Sequence, residues 1–275
     1  MKRFSLAIIT ILCAFPVRGH DFWIEPSSFR PATGQLVRVG LRVGEAFLGD
    51  PIPRDHASIL SFVSVTATGS EPIEGLPGRD PAGMLRIEKP GIMILAFSNR
   101  PSRVDLPADR FEKYLRDEGL EKIVKLRAAR GETNKPSSEL FSRHAKCLIA
   151  AGGNATGVPA SRPLGLLFEL VPESDLFVFK PGSSSGFRLL FQGKPLEGAL
   201  VVAISRQNPN KKISGRSDRN GRVPLRLDQA GDWLVKAVHM TPAATGSGAQ
   251  WQSFWASVTF RMEAASPGAK KRASQ

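Results

Sequence analysis

"SSELFSRHAKCLIAA", residues 137–151, decides how the two halves of this chain are joined. Ser137 or Ser138 suits the cap position of a helix, where a hydroxyl accepts a free backbone N–H. Gly152-Gly153 is a natural stop. Between them Phe141, His144, Cys147 and Leu148 recur at spacings of three and four, which a helix gathers on one face. The spacing predicts a helix from Ser137 or Ser138 to about Ala151.

This helix would extend a helical segment over 104–153. Pro107–Arg130 is rich in Glu, Lys, Arg and Leu. Phe111, Tyr114 and Leu115 recur at helical spacing, as do Leu120, Ile123 and Val124. Gly119 separates two short helices and Gly131 ends the second.

On either side the pattern is β. In Gln35–Leu41, Leu36, Arg38 and Gly40 alternate with Val37, Val39 and Leu41, the period of a half-buried strand. Ile59–Thr66, Met84–Ile87 and Ile92–Phe97 are further strands. Beyond the loop Asn154–Pro163, strands are expected at Phe187–Phe191, Ala199–Ser205, Val223–Leu227, Asp232–Met240 and Trp251–Met262. Gln192-Gly193-Lys194-Pro195 and Ser217–Gly221 are turns. Asp218-Arg219-Asn220-Gly221 lacks the carboxylate spacing of a calcium loop, and Asn-Gly favours a hairpin turn. Short strands with frequent turns predict a mainly β fold, with two immunoglobulin-like β-sandwich regions and a helical segment between them. The expected divisions are an N-terminal β domain over 20–103, the helical segment, a C-terminal sandwich over 163–262, and a disordered basic tail over 263–275.

The first residues are of another kind. Met1-Lys2-Arg3 precedes the apolar run Phe4–Phe15, Pro16 breaks it, and Val17-Arg18-Gly19 offers a small residue for cleavage. This is the layout of a secretory signal peptide over 1–19. The run is too short to span a bilayer, which takes about 20 residues. No later segment is apolar enough to do so. The expected product is exported to the periplasm and has no transmembrane segment. Cys13 leaves with the leader, so Cys147 has no internal disulfide partner, and a buried, inert thiol is expected. Net charge is +13 for the chain and +10 without Lys2, Arg3 and Arg18. The basic residues are scattered, without interleaved aromatics, so no nucleic-acid partner is expected.

Cleavage after Gly19 makes His20 the first residue. Its α-amine and imidazole nitrogen then close a chelate ring on Ni, Co or Cu, ions that imidazole suits. His239, at the end of the strand DWLVKAVHM, and His56, in the loop Pro53-Arg54-Asp55-His56, are the candidate partners. In that strand Met240 is a candidate soft neighbour for copper. His144 and Cys147, with apolar neighbours, read as core residues. The chain has no HExxH or CxxC motif, no nucleophile elbow, and no phosphate loop in "GLPGRDPAG". Any metal site must be assembled across the fold. Trp233, Trp251 and Trp255 either form a sugar-binding platform or pack a sandwich core.

Several stretches resemble the DUF4198 family: "HDFWIEP" after the leader, "RVGEAFLGDPIPR" at 42–54, "SRHAKCL" at 142–148, "PLGLLFELVPESD" at 163–175, "LLFQGKPLEGALVVA" at 189–203, and "SDRNGRVPLRL…AGDWLVKAVHM" at 217–240. The resemblance implies a β-rich periplasmic component associated with nickel or cobalt uptake. It adds weight to His20 and His239 as ligands. The expected function is therefore a metal-binding accessory protein that captures Ni, Co or Cu through His20, His239 and His56, with no catalytic residues. Its expected partner is an inner-membrane metal transporter. The rival readings are a copper oxidase or oxygenase with an N-terminal histidine brace, and a non-catalytic adhesion or carbohydrate-binding module.

Overall fold

The computed structural model describes residues 21–153, 157, 159–174, 176–179 and 184–264. The leader, His20 and the tail from residue 265 lie outside the described residues. The N-terminal strands are β1 (Asp21–Pro26), β2 (Leu36–Glu45), β3 (Leu48–Ile52), β4 (Ile59–Thr66), β5 (Gly69–Pro72), β6 (Gly83–Arg86), β7 (Gly91–Asn99) and β8 (Ser102–Leu106). Helices α1 (Ala108–Asp117) and α2 (Glu121–Ala129) follow, then β9 (Ser137–Ala151). The chain continues with β10 (Phe168–Pro172), β11 (Val178–Phe179), β12 (Ser185–Phe191), β13 (Lys194–Pro195), β14 (Leu200–Ser205) and β15 (Asn208–Arg216). It ends with β16 (Arg222–Leu225), β17 (Gly231–Pro242) and β18 (Trp251–Ala264).

The fold is mainly β, with two sandwich regions as the strand pattern predicts, and they share one sheet. That sheet runs in the order β15-β14-β17-β18-β9-β7-β4-β5. Sheet β1-β2-β3, with β6 also on β2, covers one face of its N-terminal half. Phe22, Ile24, Val37, Val39 and Leu41 meet Leu95, Phe97 and Cys147 there. Sheet β10-β12-β13, with β16 on β12, covers the opposite face. Phe168, Phe187 and Leu189 pack there on Val235, Phe254 and Leu148. The helices return to the first face, where Phe111, Tyr114 and Leu115 pack on Val238, Met240 and Trp251.

The helix expected over 137–151 is a strand, and this is the main correction to the sequence reading. β9 pairs antiparallel with β7, from Gly91↔Ala151 to Ser98↔His144. It also pairs parallel with β18, from Trp251↔Glu139 to Thr259↔Cys147. From His144 to Ala151 every residue is buried. A strand buried on both faces loses the alternation that would mark it as a strand, and its apolar run then mimics a helical one. The consequence is geometric. Cys147, Ala145 and Ile149 point into the N-terminal core, while Leu148 and Ala150 point into the C-terminal one. His144 and Cys147, neighbours on a helix, project from opposite faces of a strand.

Other local expectations match the structure. The two helices are separated at Gly119, which takes a left-handed φ of 66°. Gln192 and Gly193 are both left-handed, with φ of 53° and 74°, which a tight turn between β12 and β13 needs. The Asp218 carboxylate accepts the backbone N–H groups of Asn220 and Arg222 and closes its own turn. Cys147 is fully buried and burial pushes its thiol pKa up, so it stays a thiol.

Lys146 and Glu169 join β9 to β10 through an ion pair of 2.9 Å, each side chain 1% exposed. Glu169 also accepts the N–H groups of Leu164 at 2.8 Å and Gly165 at 3.0 Å. Removing one member of a buried pair leaves the other uncompensated, which costs about 3–5 kcal/mol. Lys146→Ala is expected to lose that much stability in denaturant unfolding. Lys146→Met with Glu169→Gln, which keeps an acceptor for the Leu164 and Gly165 N–H groups, should recover part of it.

Candidate functional site

Of the expected metal ligands, His239 and His56 lie in separate surroundings. His239 lies on the face of β17 that carries Trp233, Val235 and Ala237. Its ring packs against Phe191 at 4.7 Å, Phe168 at 6.0 Å and Phe254 at 6.2 Å between centroids. Burial, with a smaller contribution from Lys122, lowers its pKa to about 4, so the ring is neutral. His56 is exposed, and its Nε2 accepts from Arg54 Nε at 2.9 Å. That contact, with the Ile73 and Ala82 carbonyls, fixes the Arg54 guanidinium. His56 precedes β4, which lies four strand spacings from β17, about 19 Å. His144 is buried on β9 with Nε2 3.1 Å from Ser142 Oγ, and burial lowers its pKa to about 4. Among the described residues no three His, Cys, Asp or Glu side chains are grouped so as to hold a metal ion.

His20 lies outside the described residues, but its neighbour Asp21 is placed. Asp21 starts β1 and is buried. Its Oδ1 accepts from Lys236 Nζ at 2.5 Å. Lys236 and His239 are three residues apart on β17, so their side chains leave opposite faces. Asp21 is therefore bound on the face away from His239.

Asp21 belongs to a buried charged cluster. Lys236 Nζ also donates to both oxygens of Glu118, at 2.8 and 2.9 Å, in the residue that closes α1. Burial opposes the lysine's charge, yet Asp21 and Glu118 raise its pKa above the ordinary value and hold it protonated. Burial raises the pKa of Glu118 against the pull of Lys236. One cation thus serves two carboxylates, and the trio has a formal charge of −1.

The strands under this trio set a regular floor. In register across β17, β18 and β9 lie Lys236, Ser257 and Ala145, then Val238, Trp255 and Arg143. Arg143 sits between two rings, its Cζ 4.9 Å from the Phe22 centroid and 5.0 Å from that of Phe141. Burial lowers its pKa to about 10, and among the described residues it has no carboxylate partner. Trp255 is half-buried and stacks on Tyr114 at 5.6 Å, with planes 9° apart. Its Nε1 donates to Ser253 Oγ at 3.1 Å, and Ser253 donates to Glu139 Oε1 at 3.2 Å. Trp233 and Trp251 are core residues, 1% and 0% exposed, so the three tryptophans form no common platform.

None of Asp21, Glu118, Arg143 and Lys236 was singled out by the sequence patterns. The available signal was a charge in an apolar strand: Lys236 within "LVKAV" and Arg143 ahead of "HAKCLIAA". Such residues are seldom buried unless paired or used.

Fold and site together define a two-sandwich β protein whose first strand carries a charged, aromatic-flanked face at its N-terminal end. The chain belongs to the family described as "Domain of unknown function (DUF4198)", whose model matches residues 17–241. The match takes in β1, both helices, β9 and nearly all of β17, and ends before β18. Among solved structures, the chain is similar to the "D0-D1 domain of Intimin", with 12% identity over 87% of this chain and 97% of that one and a TM-score of 0.21. A comparison with curated proteins finds no match.

Glu139 gives this face a measurable pH dependence. Burial raises its pKa from 4.5 to about 7. A carboxyl whose pKa is raised on folding binds more protons folded than unfolded, so stability falls as pH rises between those values. Glu139→Gln removes that slope. The variant is expected to gain on the parent by up to about 3 kcal/mol at neutral pH and nothing below pH 4.5, read from unfolding curves across that range.

Proposed function

We propose that this protein is exported to the periplasm, loses residues 1–19, and captures a transition-metal ion, Ni, Co or Cu, at His20 for an inner-membrane transporter. One observation carries the reading. Asp21, the residue bonded to His20, is tied by Lys236 into a buried cluster of formal charge −1. The new terminus is thereby tied, through the residue next to it, to the start of β1. The amine and imidazole of His20 offer nitrogen donors suited to these ions. Asp21 and Glu118 are not ligands in this reading, since Lys236 already occupies their oxygens.

His239 and His56 have no part in this version of the site. The first is enclosed by phenylalanines on the far face, and the second supports Arg54. Metal bound at His20 supplies a charged cargo, and the chain's own residues hold and orient the terminus.

Isothermal titration of the processed protein with Ni, Co and Cu tests the reading. Saturable binding of at least one ion is expected. His20→Ala should abolish it, and a single extra residue before His20 should do the same by removing the chelating amine. His239→Ala and His56→Ala should leave it unchanged. Absence of binding by any of the three ions, or equal affinity in His20→Ala, would overturn the proposal.

A further inference from the structure

Among the described residues, the cations set between the layers of this fold have polar partners, and half-buried Arg143 stands apart from them. Lys146 pairs with Glu169, and Lys236 pairs with Asp21 and Glu118. Arg127 donates to Glu112, Ser137 and the carbonyls of Glu132 and Lys135. Arg54 donates to His56 and to two carbonyls. Arg143 has only the rings of Phe22 and Phe141. Its backbone N–H is fixed at 2.6 Å on Asn99 Oδ1, and its strand is paired on both sides. The backbone is fixed, and the guanidinium lies against the two rings without an anion among the described residues. Arg143 is half-buried, and no guanidinium nitrogen of it is among the enclosed unpaired atoms, so its charge faces water that a ligand can displace.

The chemistry around Arg143 narrows what would complete it. A guanidinium presents a fork of N–H donors that matches a carboxylate. Trp255 adjoins Arg143 in register and is half-buried, so it offers an apolar, planar surface beside the charge. Ser257, one row along the same face, has a buried hydroxyl with no hydrogen bond among the described residues. The Lys236 trio keeps its formal charge of −1 nearby, which disfavours dianions and polyanions. Cations are repelled by Arg143 itself.

We propose that Arg143, flanked by Phe22, Phe141 and Trp255, is the binding site for the carboxylate of a small organic monoanion with an apolar or planar body. The guanidinium holds the carboxylate and the indole covers the body. The inference is independent of metal binding at His20 and stands if that reading fails.

The test uses the metal-free processed protein, with benzoate, hexanoate, benzamide and inorganic phosphate as probes, followed by titration calorimetry and tryptophan fluorescence. Benzoate or hexanoate should bind saturably. Benzamide, which has the ring without the charge, should bind at least about tenfold more weakly, the scale of a charge-assisted hydrogen-bonded pair. Phosphate should bind more weakly than the carboxylates. Arg143→Met should weaken carboxylate binding by about tenfold or more. Arg143→Lys keeps the charge and loses the fork, so its binding should fall between the two. Four results would overturn the proposal: no saturable binding of either carboxylate, equal binding of benzoate and benzamide, tighter binding of phosphate, or full binding by Arg143→Met. A lowered melting temperature in Arg143→Met with unchanged binding would make Arg143 a structural residue.

Discussion

The structure depends on a strand that belongs to two cores. β9 pairs with β7 of the N-terminal half and with β18 of the C-terminal half. One face supplies Ala145, Cys147 and Ile149 to the first core, and the other supplies Leu148 and Ala150 to the second. From His144 to Ala151, burial on both faces leaves β9 no solvent side for its polar residues. Each must then be satisfied where it stands, because a buried polar group without a partner is costly. Lys146 meets Glu169, Glu139 Oε1 meets Ser253 beside Tyr114, and His144 Nε2 meets Ser142, while Glu139 Oε2 and His144 Nδ1 have no hydrogen bond among the described residues. Arg143, half-buried just before that run, has two aromatic rings in place of a polar partner.

The parallel pairing of β9 with β18 also sets the functional face. It brings Trp255 beside Arg143 and Ser257 beside Ala145, while β17 adds Lys236 to the same rows. β1 and the end of α1 then converge on Lys236 from separate parts of the chain, through Asp21 and Glu118. Charge and aromatic surface are thus concentrated where the mature chain would begin. Neither half of the sheet could build this arrangement alone.

Much of the fold was legible in the sequence. The alternation of β2, the Gln192-Gly193 turn and the paired helices with their break at Gly119 are local signals, and the structure follows them. β9 was not legible, because a strand buried on both faces has no period of two to read. Its capping serine and terminal glycines suit a helix and also suit a strand that ends in a turn. The candidate site was less legible still. The histidines drew attention as metal ligands, yet their surroundings depend on pairing that sequence spacing does not encode. His239 lies three residues from Lys236, but the alternation of β17 sends them to different layers. Lys236 and Arg143 were visible as charges in apolar runs, while their neighbours Asp21 and Phe22 come from more than a hundred residues away.

The central claim is that the working end of this protein is a terminus created by cleavage at His20 and anchored through Asp21. Intact mass spectrometry of the protein recovered after export tests it most directly. The expected mass is that of residues 20–275. A product beginning at any other residue would contradict the claim, since the imidazole and the free amine would no longer belong to one residue beside Asp21.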